Sequence, residues 1–162
     1  MGAGSGTEQM REIRDKLSEL TLAYEEQLDL YRQIHKVGSG EQELIGQGQL
    51  DSLLQVLKDK EVLLREAGSY EQRIKEIQDQ LTSHFDLATF SLPQLRLGAP
   101  DYYQEELQAL EVAIADLLPV LEILEDQERR NEDALNKYLE AVQGPKTKTA
   151  QIRLAGRAYG KK

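Results

Sequence analysis

Apolar and interior-compatible residues recur between Asp101 and Val142 in alternating steps of four and three: Tyr103, Leu107, Leu110, Ile114, Leu117, Leu121, Leu124, Glu128, Asn131, Leu135, Tyr138 and Val142. This is the seam of a helix packed along its whole length against other helices. At about 1.5 Å per residue such a helix runs on the order of 60 Å, too long for a compact body of this size, so an elongated molecule is expected. Glu128 and Asn131 interrupt the stripe. A polar residue at a seam position fixes register or partner number at some expense of stability; the other reading is that the stripe opens there to receive a partner segment.

The same period governs the start of the chain, where Met10, Ile13, Leu17, Leu20, Tyr24, Leu28, Tyr31 and Ile34 predict a first helix with Thr7 as its N-cap. The Gly-rich residues 1–6 are expected to be disordered. Gly38 and Gly40 disfavour helix by about 1 kcal/mol each relative to Ala, yet Glu41 to Ile45 resumes helical residues. A kinked or frayed stretch followed by a turn near Gly46 to Gln49 is therefore expected. A second long helix follows from Leu50 to Ser83, with Leu50, Leu53, Leu54, Leu57, Leu64, Ile74, Ile77 and Leu81 on one face. Lys60 and Glu61 fall where that stripe should continue, and they read as a half-exposed charge-pair region on an edge. Ser91-Leu92-Pro93-Gln94 has the form of a capping box with an early Pro, predicting a short helical turn over one end of a bundle. Asp101 is expected to cap the last long helix, Pro119 to bend it, and Gly144-Pro145 to stop it. The predicted fold is thus all-α: an elongated bundle of three long antiparallel helices over residues 7–143, a short capping helix, and a basic flexible C-terminal tail over 144–162.

Composition narrows the function. The 162 residues suit one domain, and 40% hydrophobic, 30% charged and 6% aromatic content suits helices with narrow apolar faces. There is no Cys, which removes disulfide and thiolate chemistry. No apolar run approaches the ~20 residues of a membrane span, and the opening MGAGSGTEQM has neither a basic nor an apolar leader region. The net charge of −9 is uneven: six of the 20 basic residues and no acid lie after Gln143, leaving 14 basic against 29 acidic residues before it, a difference of −15. A body so acidic repels nucleic acid and anionic lipid, so neither nucleic-acid binding nor membrane insertion is expected. The basic tail, tethered to this body, is expected to dock on it transiently and compete with a partner.

No catalytic constellation assembles. His35 and His84 stand alone, outside any HxxxH or HExxH spacing, and the carboxylates lie in solvated helical runs. The glycine pairs near Gly38 and Gly46 follow no strand and precede no GK[ST], so they form no phosphate loop. Neither catalytic nor cofactor-binding nor metal-binding residues are expected, and the chain does not read as an enzyme.

The segments YEEQLDLYRQI, GQLDSLLQVLKDKEVLL, FDLATFSLPQL and LEILEDQERRNEDALNKYLE, followed by a tail with AYGKK, resemble the FlgN-like flagellar export chaperones over roughly residues 8 to 160. Gly48, Leu50, Lys60, Glu61, Arg130 and Asn131 carry the resemblance; Gly38, Gly40 and Pro119 depart from it. The resemblance implies a cytoplasmic bacterial protein that binds the C-terminal helices of hook-filament junction (hook-associated) proteins. It would prevent their premature assembly and deliver them to the flagellar type III export apparatus, its gate or its ATPase complex. Carried onto this chain, cargo would bind at Leu121, Leu124, Leu135, Tyr138 and Val142 of the last helix and at Ile152, Leu154 and Tyr159 of the tail. The alternative is a coiled-coil dimerisation or spacer module without cargo, in which the same stripe pairs with a second copy as a homodimer.

Overall fold

The computed structural model describes residues 2–142, with side chains from residue 6 onward. Helix α1 (Gly2–Gly38) is followed by the short α2 (Glu41–Gly46), then by α3 (Leu50–His84), α4 (Leu92–Gly98), a 3-10 turn (Asp101–Tyr103) and α5 (Gln104–Val142). The fold is all-α, with no strand among the described residues, and the three long helices have 37, 35 and 39 residues.

Several local expectations hold. Ser91 caps α4 by accepting a hydrogen bond from the Gln94 amide at 3.2 Å, with Pro in the first turn. The turn after α2 passes through Gly48, whose φ of +69° is the left-handed backbone that a side chain disfavours. Other expectations are corrected. Helix α1 is recorded from Gly2, so residues 2–6 are helix rather than a disordered lead-in, and Thr7 lies within the helix rather than at its cap. Once a helical nucleus exists, each added residue gains a hydrogen bond for one residue fixed, which favours extension past an internal capping signal. Asp101 does not cap α5 directly; it opens the 3-10 turn ahead of it, without a side-chain capping bond. The basic segment 144–162 lies outside the described residues.

The chain divides into two compact units. Among the described residues, the first comprises residues 2–28 and Gly68–Leu118; the second comprises Asp29–Ala67 and residues 119–142. All three long helices contribute to each unit, and two of the cuts fall at Gly68 and Pro119, the weak points of the helical pattern.

In the first unit, Ile13, Leu17, Leu20 and Ala23 of α1 meet Ile74, Ile77 and Leu81 of α3, with Tyr103, Leu107 and Leu110 opposite. Leu95 of α4 is fully buried in the same cluster, flanked by Phe85, Leu87 and Phe90, so the predicted capping helix does close a hydrophobic core. Arg73 pairs with Glu19 at 2.8 Å, Arg96 with Glu111 at 2.8 Å, and Gln78 donates to the Tyr24 hydroxyl at 2.7 Å. Burial holds the Tyr24 and Tyr103 phenols above their ordinary pKa, against the lowering effect of the Gln78 bond in the case of Tyr24.

In the second unit, Ile45 of α2 is buried with Leu53 and Leu57 of α3 and Leu135 and Leu139 of α5; Leu44, Leu50, Leu54, Ala134 and Tyr138 pack around them. Here α1 and α5 run in the same sense, since the backbone oxygens of His35 and Gly38 meet Gln127 and Asn131 respectively.

Candidate functional site

The last third of α5 has a different inner face from the one its heptads suggest. Leu124, Gln127, Asn131, Leu135 and Leu139 are buried, whereas Glu128 and Tyr138 are only half-buried and Val142 is exposed. The buried positions step 127, 131, 135 and 139 where the heptad alternates 128, 131, 135 and 138, so the interior lies on Gln127 rather than Glu128 and on Leu139 rather than Tyr138.

The residues expected to bind cargo therefore divide. Leu124 and Leu135 are 5% and 4% exposed and form part of the interior of the unit, so no partner touches them while it stays closed. Leu121 and Tyr138 are half-buried, and Val142 is 60% exposed. Ile123, absent from the heptad seam, is 51% exposed nearby in sequence. Ile152, Leu154 and Tyr159 lie outside the described residues.

Beside the apolar cluster lies a buried polar layer, and it includes Lys60, a position expected with Glu61 on a half-exposed edge. Lys60 and Glu41 are both wholly buried, and Lys60 Nζ stands 2.7 Å from Glu41 Oε2. Lys60 keeps the α3 stripe in phase, since buried positions on that helix run Leu53, Leu57, Lys60 and Ala67. Glu61, its neighbour, is exposed and pairs with Arg65 one turn on. Two charges leave water here together; their mutual attraction in a poor dielectric offsets a desolvation that neither could bear alone. A signal for this pair existed. Glu41 and Ile45 stand four residues apart, on one face of a short helix whose other side is polar.

Gln127 and Asn131, also four apart, complete the layer from α5. Gln127 Nε2 donates to the His35 carbonyl at 2.9 Å, and Asn131 Nδ2 donates to the Gly38 carbonyl at 3.2 Å. Both carbonyls belong to the last turn of α1, where the helix itself supplies no donors. Side chains of α5 thus finish the C-terminus of α1, with the polar seam residue Asn131 buried against it. Gly38 is required for this approach: a Cβ there would stand 2.7 Å from Gln127 Oε1 and 2.9 Å from Glu41 Oε2. At the other end of α2, the Tyr138 hydroxyl would lie 3.2 Å from a Cβ on Gly48.

The layer is a buried ion pair and two amides that join three helices and a short connecting helix, with Gln127 Oε1 left without a hydrogen-bond partner. Among the described residues, no group of three or more His, Cys, Asp or Glu side chains is placed to hold a metal ion. Among them also, no helix is long and apolar enough to cross a membrane. What the unit does offer is a set of helix faces, some closed over by α2 and some open at Ile123 and Val142.

Comparison with known proteins agrees with that character. No curated protein and no solved structure matches the chain. The model of the FlgN protein family matches residues 10–162, nearly the whole chain and every element described above except the first residues of α1. FlgN proteins have a flagellar export-chaperone role, a task of binding rather than catalysis. The chain belongs to the FlgN family.

Proposed function

We propose that this protein is a cytoplasmic chaperone for hook-filament junction proteins. It binds their C-terminal helices, keeps them from assembling early and hands them to the gate or ATPase complex of the type III export apparatus. The observation that carries this reading is the apolar side chains left open along the second half of α5, where Ile123 and Val142 are exposed and Leu121 and Tyr138 half-buried, in a chain of this family. An unassembled subunit presents apolar helix faces to water, and covering them is favourable by about 25 cal/mol per Å². Ile152, Leu154 and Tyr159 of the basic segment are the further cargo contacts of this reading, together with the buried Leu124 and Leu135. The net charge of −15 before residue 144 favours cargo segments with some positive charge.

The test is capture of cargo from a lysate of a flagellated bacterium by the full chain and by its Val142→Asp and Tyr159→Asp variants. Fully burying a Val or a comparable side chain contributes about 1.5–3 kcal/mol, so each variant should lose at least about tenfold in affinity for a hook-filament junction protein. Undiminished capture by both variants refutes the site. If the chain captures nothing and self-associates in light scattering, the dimerising spacer is the better account.

A further inference from the structure

Helix α2 is a small element with an outsized position. It has six residues, far short of what an isolated helix needs for stability in water, and its N-cap Gly40 makes no side-chain capping bond. It stays helical because Glu41 reaches Lys60 and Ile45 enters the cluster of Leu53, Leu57, Leu135 and Leu139. Its surroundings on α3 and α5 therefore form a seat with two requirements: a carboxylate for a buried ammonium, and an aliphatic side chain for an apolar hollow.

Resting on the chaperone reading above, we propose that α2 is a displaceable plug, and that its seat receives a cargo helix bearing an acidic residue and an aliphatic residue four positions apart. Those two side chains replace Glu41 and Ile45, which occupy one face of α2 at that spacing. A purely apolar helix is rejected, because it offers the buried Lys60 ammonium no carboxylate in place of Glu41. Displacement needs no movement of α1 or α3: residues 39–49 join them, and eleven extended residues span up to about 36 Å. The exchange also explains how Leu135 can be cargo-facing although it is buried here. It lies beneath Ile45, and becomes accessible when α2 leaves.

The chain has no Cys, so a single fluorophore can be placed on the exposed face of α2 through Gln42→Cys. Two probes are used: a synthetic Ala-rich helical peptide containing the chain's own EQELI, and the purified C-terminal helical segment of a hook-filament junction protein. The peptide should bind a loosened chain, Glu41→Gln with Ile45→Ala, at least tenfold more tightly than the unsubstituted chain. Replacing the first Glu of the peptide's EQELI with Gln should abolish that gain. Addition of the cargo segment to the labelled full chain should lower the anisotropy of the fluorophore. Glu41→Gln alone, with helicity checked by circular dichroism, should raise cargo affinity about tenfold and guards against a loosened chain that fails to fold. Equal peptide affinity for both chains overturns the proposal, as does cargo that binds while the label stays immobile; in the latter case the chaperone reading stands. If the peptide behaves as expected and no cargo segment binds, the seat is upheld and the cargo assignment falls.

Discussion

Lys60 Nζ lies 2.7 Å from Glu41 Oε2 with both side chains sealed from solvent, and this pair joins the short α2 to the long α3. The two residues are 19 positions apart, and each stands in phase with apolar neighbours, Lys60 between Leu57 and Ala67 and Glu41 four residues before Ile45. The charges are therefore not surface decoration that drifted inward. They occupy core positions on two helices and meet there, which ties the position of α2 to one turn of α3.

Breaking the pair should be costly, and removing it whole should not. Lys60→Met leaves the Glu41 carboxylate buried and is expected to destabilise the second unit by about 3–5 kcal/mol. Joining Glu41→Leu to it should recover most of that loss, because well-packed apolar replacements of a buried pair are often neutral or better. Urea unfolding of the two single variants and the double variant gives the comparison, and a double variant no more stable than the worse single one would contradict it.

Two glycines should respond in opposite directions to the same substitution. Gly38→Ala drives a Cβ against Gln127 Oε1, whose side chain is tied through Nε2 to His35, and against Glu41 Oε2, which holds Lys60, and should lose about 1–3 kcal/mol. Gly68, inside α3, meets nothing within 4 Å of an added Cβ, so Gly68→Ala should gain about 0.5–1 kcal/mol from helix propensity. Thermal midpoints of the two proteins on either side of the unsubstituted chain are the expected result.

Asn131→Leu should show that α5 finishes α1. The leucine fills similar space but donates no hydrogen bond, leaving the Gly38 carbonyl buried without its Nδ2 partner at a loss of about 1–3 kcal/mol. Hydrogen exchange should quicken first in the last turn of α1 rather than in α5. Uniform quickening across all helices would deny the capping role.

Alkaline pH should weaken the first unit. Burial raises the Tyr24 pKa above its ordinary 10.0 in the folded state, so its stabilising contribution is complete below pH 10 and is lost as pH climbs through the raised value. The unfolded chain releases the proton more readily, which pulls the equilibrium toward unfolding. Tyr24→Phe should flatten the fall in stability above pH 10, measured by denaturant melts at a series of pH values. An unchanged slope would show that Tyr103, raised by burial as well, or other groups dominate.

The amino-acid order alone determined the helices. Their apolar period, the Ser91 cap, the Gly46–Gln49 turn and the long final stripe are local properties, set by side-chain direction and by backbone preferences that act within a few residues. It also carried the family, through positions spread along the chain rather than through any reactive motif. What only tertiary structure decided was where each stripe faces and what fills its gaps. A lysine at a core position reads as an exposed edge until its carboxylate is found 19 residues away, across a turn whose path local preferences do not set. Leu135 reads as an open docking residue until Ile45 is seen beside it in the core. Gln127, not Glu128, turns inward, where its amide meets the His35 carbonyl of α1. Each of these outcomes depends on a partner distant in sequence, and burial is a property of the pair rather than of either residue.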